Sequence, residues 1–152
     1  MQNIKIISGG QTGVDRAALD FALQNKIPCG GWCPQGRKAE DGTISSKYAL
    51  KETDSEDYES RTIRNVQDSD GTLIIINKYT DSGTFLTIST AKKLNKAIFI
   101  QNISTKKEPE IFRKWVYDNN IKMLNIAGPR ESNSSGIYEQ ALKVLGELLD
   151  KI

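Results

Sequence analysis

Short runs of consecutive apolar residues alternate along this chain with stretches whose apolar positions recur every three or four residues. The runs predict buried strands over 4–8, 28–32, 72–77, 97–101 and 123–127. The stretches between them predict helices over 13–25, 58–69, 85–94, 109–119 and 135–151. In the first helix Val14, Ala17, Ala18, Phe21 and Ala22 fall on one face. In the last, Ile137, Ala141, Val144, Leu145, Leu148, Leu149 and Ile152 do the same. Strands of this length alternating with three-turn helices imply β-α-β units. The expected fold class is therefore α/β: one three-layer αβα domain over 1–152, with a mainly parallel sheet of about five or more strands. Right-handed crossovers put helices on both faces.

One segment departs from this rhythm. Residues 33–59 hold Pro34, Gly36 and Gly42, followed by Glu52, Asp54, Glu56, Asp57 and Glu59. The pattern predicts a long loop with a short extended piece at 48–51. Loops of that length inside a small domain are usually functional or mobile.

Composition narrows the function classes. A chain of 152 residues buries about two thirds of its unfolded surface. The formal net charge is +2 and no Lys/Arg run exceeds two residues, which disfavours nucleic acid as the main partner. No segment approaches the roughly 20 apolar residues that cross a bilayer, so no membrane role is expected. Met1-Gln2-Asn3 leads straight into the first strand, with no secretory signal, and the expected location is cytoplasmic. Cys29 and Cys33 stand alone in a chain without histidine, which argues against a metal site and removes the serine and cysteine triads. Their spacing is not Cys-x-x-Cys, so both read as ordinary reduced thiols.

In a parallel sheet the C-terminal strand ends share one edge, where ligands bind. Three loops fall there. The first, Ser8-Gly9-Gly10-Gln11-Thr12-Gly13, lacks the pattern of a Walker A loop or of G-x-G-x-x-G. It offers backbone N–H groups before a helix, and so an anion cradle. Thr12 and Asp15 also fit a capping box, which would account for the segment without any ligand. The second loop runs Asn77-Lys78-Tyr79-Thr80-Asp81-Ser82-Gly83-Thr84 and brings Thr87 one turn later, more hydroxyls than one cap uses. The third carries Gly128, Arg130, Glu131 and Ser132; Arg130 suits a phosphate or carboxylate clamp, or simply pairs with Glu131. Arg61 and Asn65 share a helix face, for which a solvated surface is the simpler reading. Residues 32–42, with Arg37, Lys38, Glu40 and Asp41, are placed to fold over the pocket.

These residues resemble a known family. Ser-Gly-Gly-Gln-Thr-Gly-Val-Asp-Arg-Ala-Ala-Leu-Asp at 8–20 and Gly-Gly-Trp-Cys-Pro-x-Gly-Arg-x-Ala-Glu-Asp-Gly at 30–42 are similar to signatures of the molybdenum carrier family. Arg61-Thr62, Asn65-Val66, Asp68-Ser69-Asp70-Gly71-Thr72, Ser82-Gly83-Thr84, Leu86-Thr87 and 127–132 continue the likeness. The resemblance implies a Rossmann-like fold related to the lysine-decarboxylase-like and DNA-processing proteins that bind nucleotides or their derivatives. It also implies homo-oligomers (dimer or tetramer) and, from algal relatives, binding of the molybdenum cofactor, a pterin phosphate. The hydrolytic relatives carry Pro-Gly-Gly-x-Gly-Thr-x-x-Glu, whereas this chain has Thr87 at the glutamate position.

The expectation is a binding protein for a phosphate-bearing nucleotide-like or pterin ligand, more carrier than catalyst. Its expected ligand-binding residues are Gly9, Gly10, Gln11, Thr12, Gly13, Asp81, Ser82, Gly83, Thr84, Thr87, Gly128, Arg130, Glu131 and Ser132. The alternatives are a nucleotide hydrolase acting at the N-glycosidic bond, with Glu40, Asp41 or Glu131 assisting water, a nucleotide sensor, or a scaffold with a vestigial pocket.

Overall fold

A computed structural model describes residues 3–78 and 80–150. The elements follow the apolar pattern: β1 (Lys5–Ile7), α1 (Val14–Gln24), β2 (Cys29–Gly30), β3 (Trp32–Cys33), β4 (Lys38–Ala39), β5 (Gly42–Thr43) and β6 (Lys51–Glu52). They continue with α2 (Tyr58–Asp68), β7 (Gly71–Ile76), α3 (Ser82–Lys93), β8 (Ala97–Asn102), α4 (Pro109–Asp118), β9 (Met123–Ala127) and α5 (Ile137–Leu149).

Five parallel strands make the central sheet, in the order β2-β1-β9-β7-β8. Leu73 lies opposite Ile126 and Phe99, and Ile6 opposite Leu124 and Cys29. Alternate strand residues point to opposite faces. Ile6, Leu73, Ile75, Leu124 and Ile126 join the main core with the apolar stripes of α1, α4 and α5. The intervening positions include Thr72 and Asn125, and α2 and α3 pack together as the second helical layer. The fold class is α/β, a three-layer doubly wound sheet, as the pattern implied.

The strand order encodes a rearrangement. Counted from β9, the central strands read 3-2-1-4-5, the usual order of a dinucleotide-binding half-sheet with its neighbour. The strand that begins that count comes last in this chain.

Four expectations need correction. The capping box does not form: Gly13 is the N-cap of α1 without a side-chain bond, Thr12 serves other loops, and Asp15 binds Arg61. Helix α3 begins three residues before the expected 85, because Asp81 accepts the Thr84 N–H at 2.8 Å and caps it. The expected second strand divides. Gly31, at φ +135°, turns the chain so that β2 stays in the main sheet while β3 pairs with β6. Residues 33–59 are not a plain loop: they build the β4–β5 hairpin, and Cys33, Ala39, Ile44, Tyr48 and Leu50 form a small core with Leu19. Arg37 ties it down by donating to the carbonyls of Ile44, Ser45, Tyr48 and Leu50. The expectations for Met1, Gln2, Tyr79, Lys151 and Ile152 fall outside the described residues.

Candidate functional site

At their C-terminal ends β7 and β9 lie side by side, but their chains leave toward opposite helical layers, β7 into α3 and β9 toward α5. That divergence leaves the crevice in which open α/β sheets bind ligands. A cavity of about 640 Å³ occupies it, walled by the ends of β9 and β1 and by the first turns of α2 and α3.

Polar side chains line this cavity at depths where apolar ones normally sit. Gln11, Asp15, Arg61, Asn65, Thr84, Thr87 and Asn125 are all buried. Buried polar groups normally have partners, and most of these do. Arg61 Nη1 lies 2.9 Å from Asp15 Oδ2. Asn65 brackets the Trp32 backbone, accepting its N–H at 2.8 Å and donating to its carbonyl at 2.9 Å. Gln11 Oε1 accepts the N–H groups of Thr12 and Glu40. Thr87 donates to the Gly83 carbonyl, and Asn125 to the Thr72 hydroxyl. Two buried side-chain atoms among the described residues have no hydrogen-bond partner, Thr84 Oγ1 and Arg130 Nε. Both belong to residues of the cavity wall. The Glu40 carboxylate stands 3.6 Å from Arg130 Nε, an ion-pair distance too long for a hydrogen bond.

Burial pushes the Asp15 carboxyl above its ordinary value, against the downward pull of the Arg61 charge and of bonds from Arg61 and the Gln11 N–H. Asp81 is held low: burial opposes it, but the Thr84 N–H, with Asn133 and the Arg130 N–H, favours its charged form, and the Thr84 hydroxyl lies nearby without hydrogen-bond geometry.

Of the residues singled out from the sequence, Gly9, Gln11, Asp81, Ser82, Gly83, Thr84, Thr87, Gly128 and Arg130 line the cavity. Gly10, Thr12, Gly13, Glu131 and Ser132 do not, each for a visible reason. A Cβ on Gly10 would meet Leu50 and Ile44 of the small core. Thr12 donates to Glu40 and accepts the Glu131 N–H. Gly13 abuts the backbone of Pro129 and Arg130. The Glu131 carboxylate accepts the N–H groups of Gly136 and Tyr138 at the head of α5 rather than pairing with Arg130. Ser132 gives both its N–H and its hydroxyl to Glu40.

Part of the glycine-rich segment is closed to a ligand, while the Gly9 and Gly13 N–H groups have no acceptor among the described residues. Its Gly10, Gln11 and Thr12 N–H groups are taken by Ser8 Oγ, Asp15 Oδ2 and Gln11 Oε1. The solvated face expected for Arg61 and Asn65 is overturned, since both are buried against the site. One signal was available in the sequence: the helix over 58–68 has too few apolar residues to cover a sheet, so its buried face had to include polar ones. Glu40 and Asp41 are also away from the cavity wall, and Asp41 pairs with Arg16 at 3.0 Å.

Glu40 ties the β4–β5 hairpin to two sheet-edge loops through Thr12, Ser132 and Arg130. Burial raises its pKa, but the hydroxyls of Ser132 and Thr12, the Ser132 N–H and the Arg130 charge together hold it below the ordinary 4.5. A carboxylate depressed by folding stabilises the fold above its unfolded pKa, and that contribution disappears as pH falls through the folded value. Urea unfolding at stepped pH should show wild-type stability falling below pH 4.5, with the fall shallower in Glu40→Gln. Identical slopes in the two proteins would remove Glu40 from this role.

A model of the circularly permutated YpsA SLOG family matches residues 6–149. The chain belongs to that family. The permutation in the family's name agrees with a sheet that reads 3-2-1-4-5 only when counted from β9. Among solved structures, this circularly permutated YpsA SLOG chain is similar to a protein named as a molybdenum carrier from Syntrophus aciditrophicus SB. The two share 42% identity over 97% of this chain and 96% of that one, with a TM-score of 0.91. No curated protein matches. No helix among the described residues is long and apolar enough to cross a membrane, and no group of three or more His, Cys, Asp or Glu among them is placed to hold a metal ion.

Proposed function

We propose that this protein binds and carries a small phosphate-bearing molecule, nucleotide-like or pterin, with the molybdenum cofactor as its candidate cargo. The observation that carries this reading is a pair of buried atoms without a hydrogen-bond partner on residues of the cavity wall, Thr84 Oγ1 and Arg130 Nε, the second held only by the Glu40 carboxylate at ion-pair distance. An unmet buried polar group costs about 1–3 kcal/mol, and a ligand that satisfies it recovers that cost. Thr84 stands in the first turn of α3, where the Asp81 carboxylate already takes its N–H and only the N–H groups of Ser82 and Gly83 lack an intrahelical partner. The volume suits a small organic ligand. The wall supplies hydroxyl, amide, guanidinium and ammonium groups beside the carboxylates of Asp15, Glu56, Asp57, Glu59 and Asp81, and no thiol. That set disfavours a bare soft metal and confines a phosphate to the side of Arg61, Arg130 and Thr84. The printed name of the solved relative points the same way. A cytoplasmic homo-oligomer remains part of the proposal.

Arg130→Ala is expected to weaken binding of adenosine monophosphate or a pterin phosphate by about 1.5–3 kcal/mol, the scale of a charge-assisted hydrogen bond. Isothermal titration calorimetry checks this, and an unchanged Kd would take Arg130 out of the site. Mass spectrometry of the small molecules released from anaerobically purified protein names the cargo.

The hydrolytic alternative retains one deeply buried carboxyl on the wall, Asp15, with its pKa pushed up by burial. Incubation with nucleoside monophosphates tests it directly. Absence of free base across the common nucleotides would retire that reading.

A further inference from the structure

Gly9 is a glycine for a reason other than backbone freedom, because its φ lies outside the left-handed range. An alanine Cβ there would come 1.9 Å from Arg61 Nη1 and 3.0 Å from both Arg61 Cζ and Asp15 Oδ2. The missing side chain is the space in which the Arg61 guanidinium lies. That guanidinium is fixed on several sides: Nη1 binds Asp15 at 2.9 Å, Nε donates to the Tyr58 carbonyl at 3.0 Å, and the group sits 5.5 Å from the centre of the Tyr58 ring. Its side chain is nine-tenths buried, and Nη2 has no partner among the described residues. Arg61, Asp15 and Gly9 all line the cavity.

We propose that Gly9 and Asp15 are positioning residues that hold the Arg61 guanidinium as a donor to the phosphate-bearing ligand. The glycine-rich segment then serves the ligand through the arginine it accommodates, while its Gly10, Gln11 and Thr12 N–H groups stay bonded within the loop. This inference rests on the binding function proposed above. It gives the segment a role at the cavity although its Gly10, Gln11 and Thr12 N–H groups are internally satisfied. It also explains a buried arginine on a helix that carries few apolar residues. Arginine suits the position because its planar fork can give one edge to Asp15 and keep donors for a ligand.

The test uses Gly9→Ala, Arg61→Gln, their double variant and Gly9→Ala with Arg61→Lys, titrated with adenosine monophosphate and a pterin phosphate. The nearest atoms to an alanine Cβ at 9 are the flexible end of Arg61 and the Asp15 carboxylate, so the variants lose part of the buried pair's stability. Calorimetric unfolding gives the Tm of each, and binding is compared at a temperature where all of them are folded. Gly9→Ala and Arg61→Gln are each expected to weaken binding tenfold or more. The double variant should be no weaker than Arg61→Gln alone, because Gly9 acts through Arg61. Lysine, whose slim ammonium clears the new methyl, should restore part of the binding in the Gly9→Ala background. A purely structural role for Gly9 predicts neither the non-additivity nor the rescue.

Wild-type affinity in Gly9→Ala or in Arg61→Gln, or fully additive losses in the double variant, would overturn the inference. If those variants bind normally while Arg130→Ala is weakened, the inference fails and the binding function stands. If the wild-type protein binds neither probe, both fall.

Discussion

Replacing Gly13 with alanine is expected to destabilise the protein by about 3 kcal/mol or more. Two costs combine at this residue. Its backbone, at φ 77° and ψ −130°, occupies a region that residues with a Cβ avoid. The added Cβ would also lie 2.3 Å from the Pro129 carbonyl oxygen and 2.9 Å from the Arg130 Cα and carbonyl carbon. These are main-chain atoms, and the Val14 N–H bonds that same Pro129 carbonyl at 3.2 Å, so relief requires the two loops to separate. Gly36→Ala is the matched control: its φ is +81°, yet nothing lies within 4 Å of the new Cβ, and only the conformational cost of about 1 kcal/mol should appear. Urea unfolding of both variants separates contact from strain. Equal losses would mean that the loop contact contributes nothing.

Asp15→Ala should cost a similar amount, about 3–5 kcal/mol, because it strips the partner from a buried guanidinium. Arg61 would keep its Nε bond to Tyr58 but lose its counter-charge, and the Gln11 N–H would lose its acceptor. Replacing both members of the pair, Asp15→Ala with Arg61→Leu, should recover most of the stability, since a buried ion pair exchanged for apolar groups is often close to neutral. It should also abolish the phosphate binding proposed above. Stability from denaturant curves and affinity from calorimetry would thus move in opposite directions in the double variant. A double variant as unstable as Asp15→Ala would show that Asp15 supports the fold by some route other than Arg61.

The contrast between these residues shows what the sequence made legible. Helices and strands followed from apolar spacing because burial is periodic, and β9 lies at its expected residues, Met123–Ala127. The edge loops were legible as well, since glycine, hydroxyl and arginine residues after each strand stand out. Side-chain partners were not. Asp15 and Arg61 lie 46 residues apart, and Thr12 meets Glu131 at a separation of 119. No local pattern announces such pairs. For the same reason Glu131 looked like a site residue although it caps α5, and Arg61 looked solvated although it is buried. The hairpin was missed because two-residue strands are too short to show alternation.

The permuted strand order has a consequence for how the molecule comes into being. During synthesis β1 with β2, and β7 with β8, emerge as separate parallel pairs, each with one flank lacking a neighbour. The strand that joins them, β9, is the last of the five in the chain, and Arg130 follows it by three residues. Until β9 slots between its two flanks there is no crevice, because one of its walls has not been made. A nascent chain shorter than about 130 residues has no such pocket, so whatever the crevice binds meets it only after the last strand has completed the sheet.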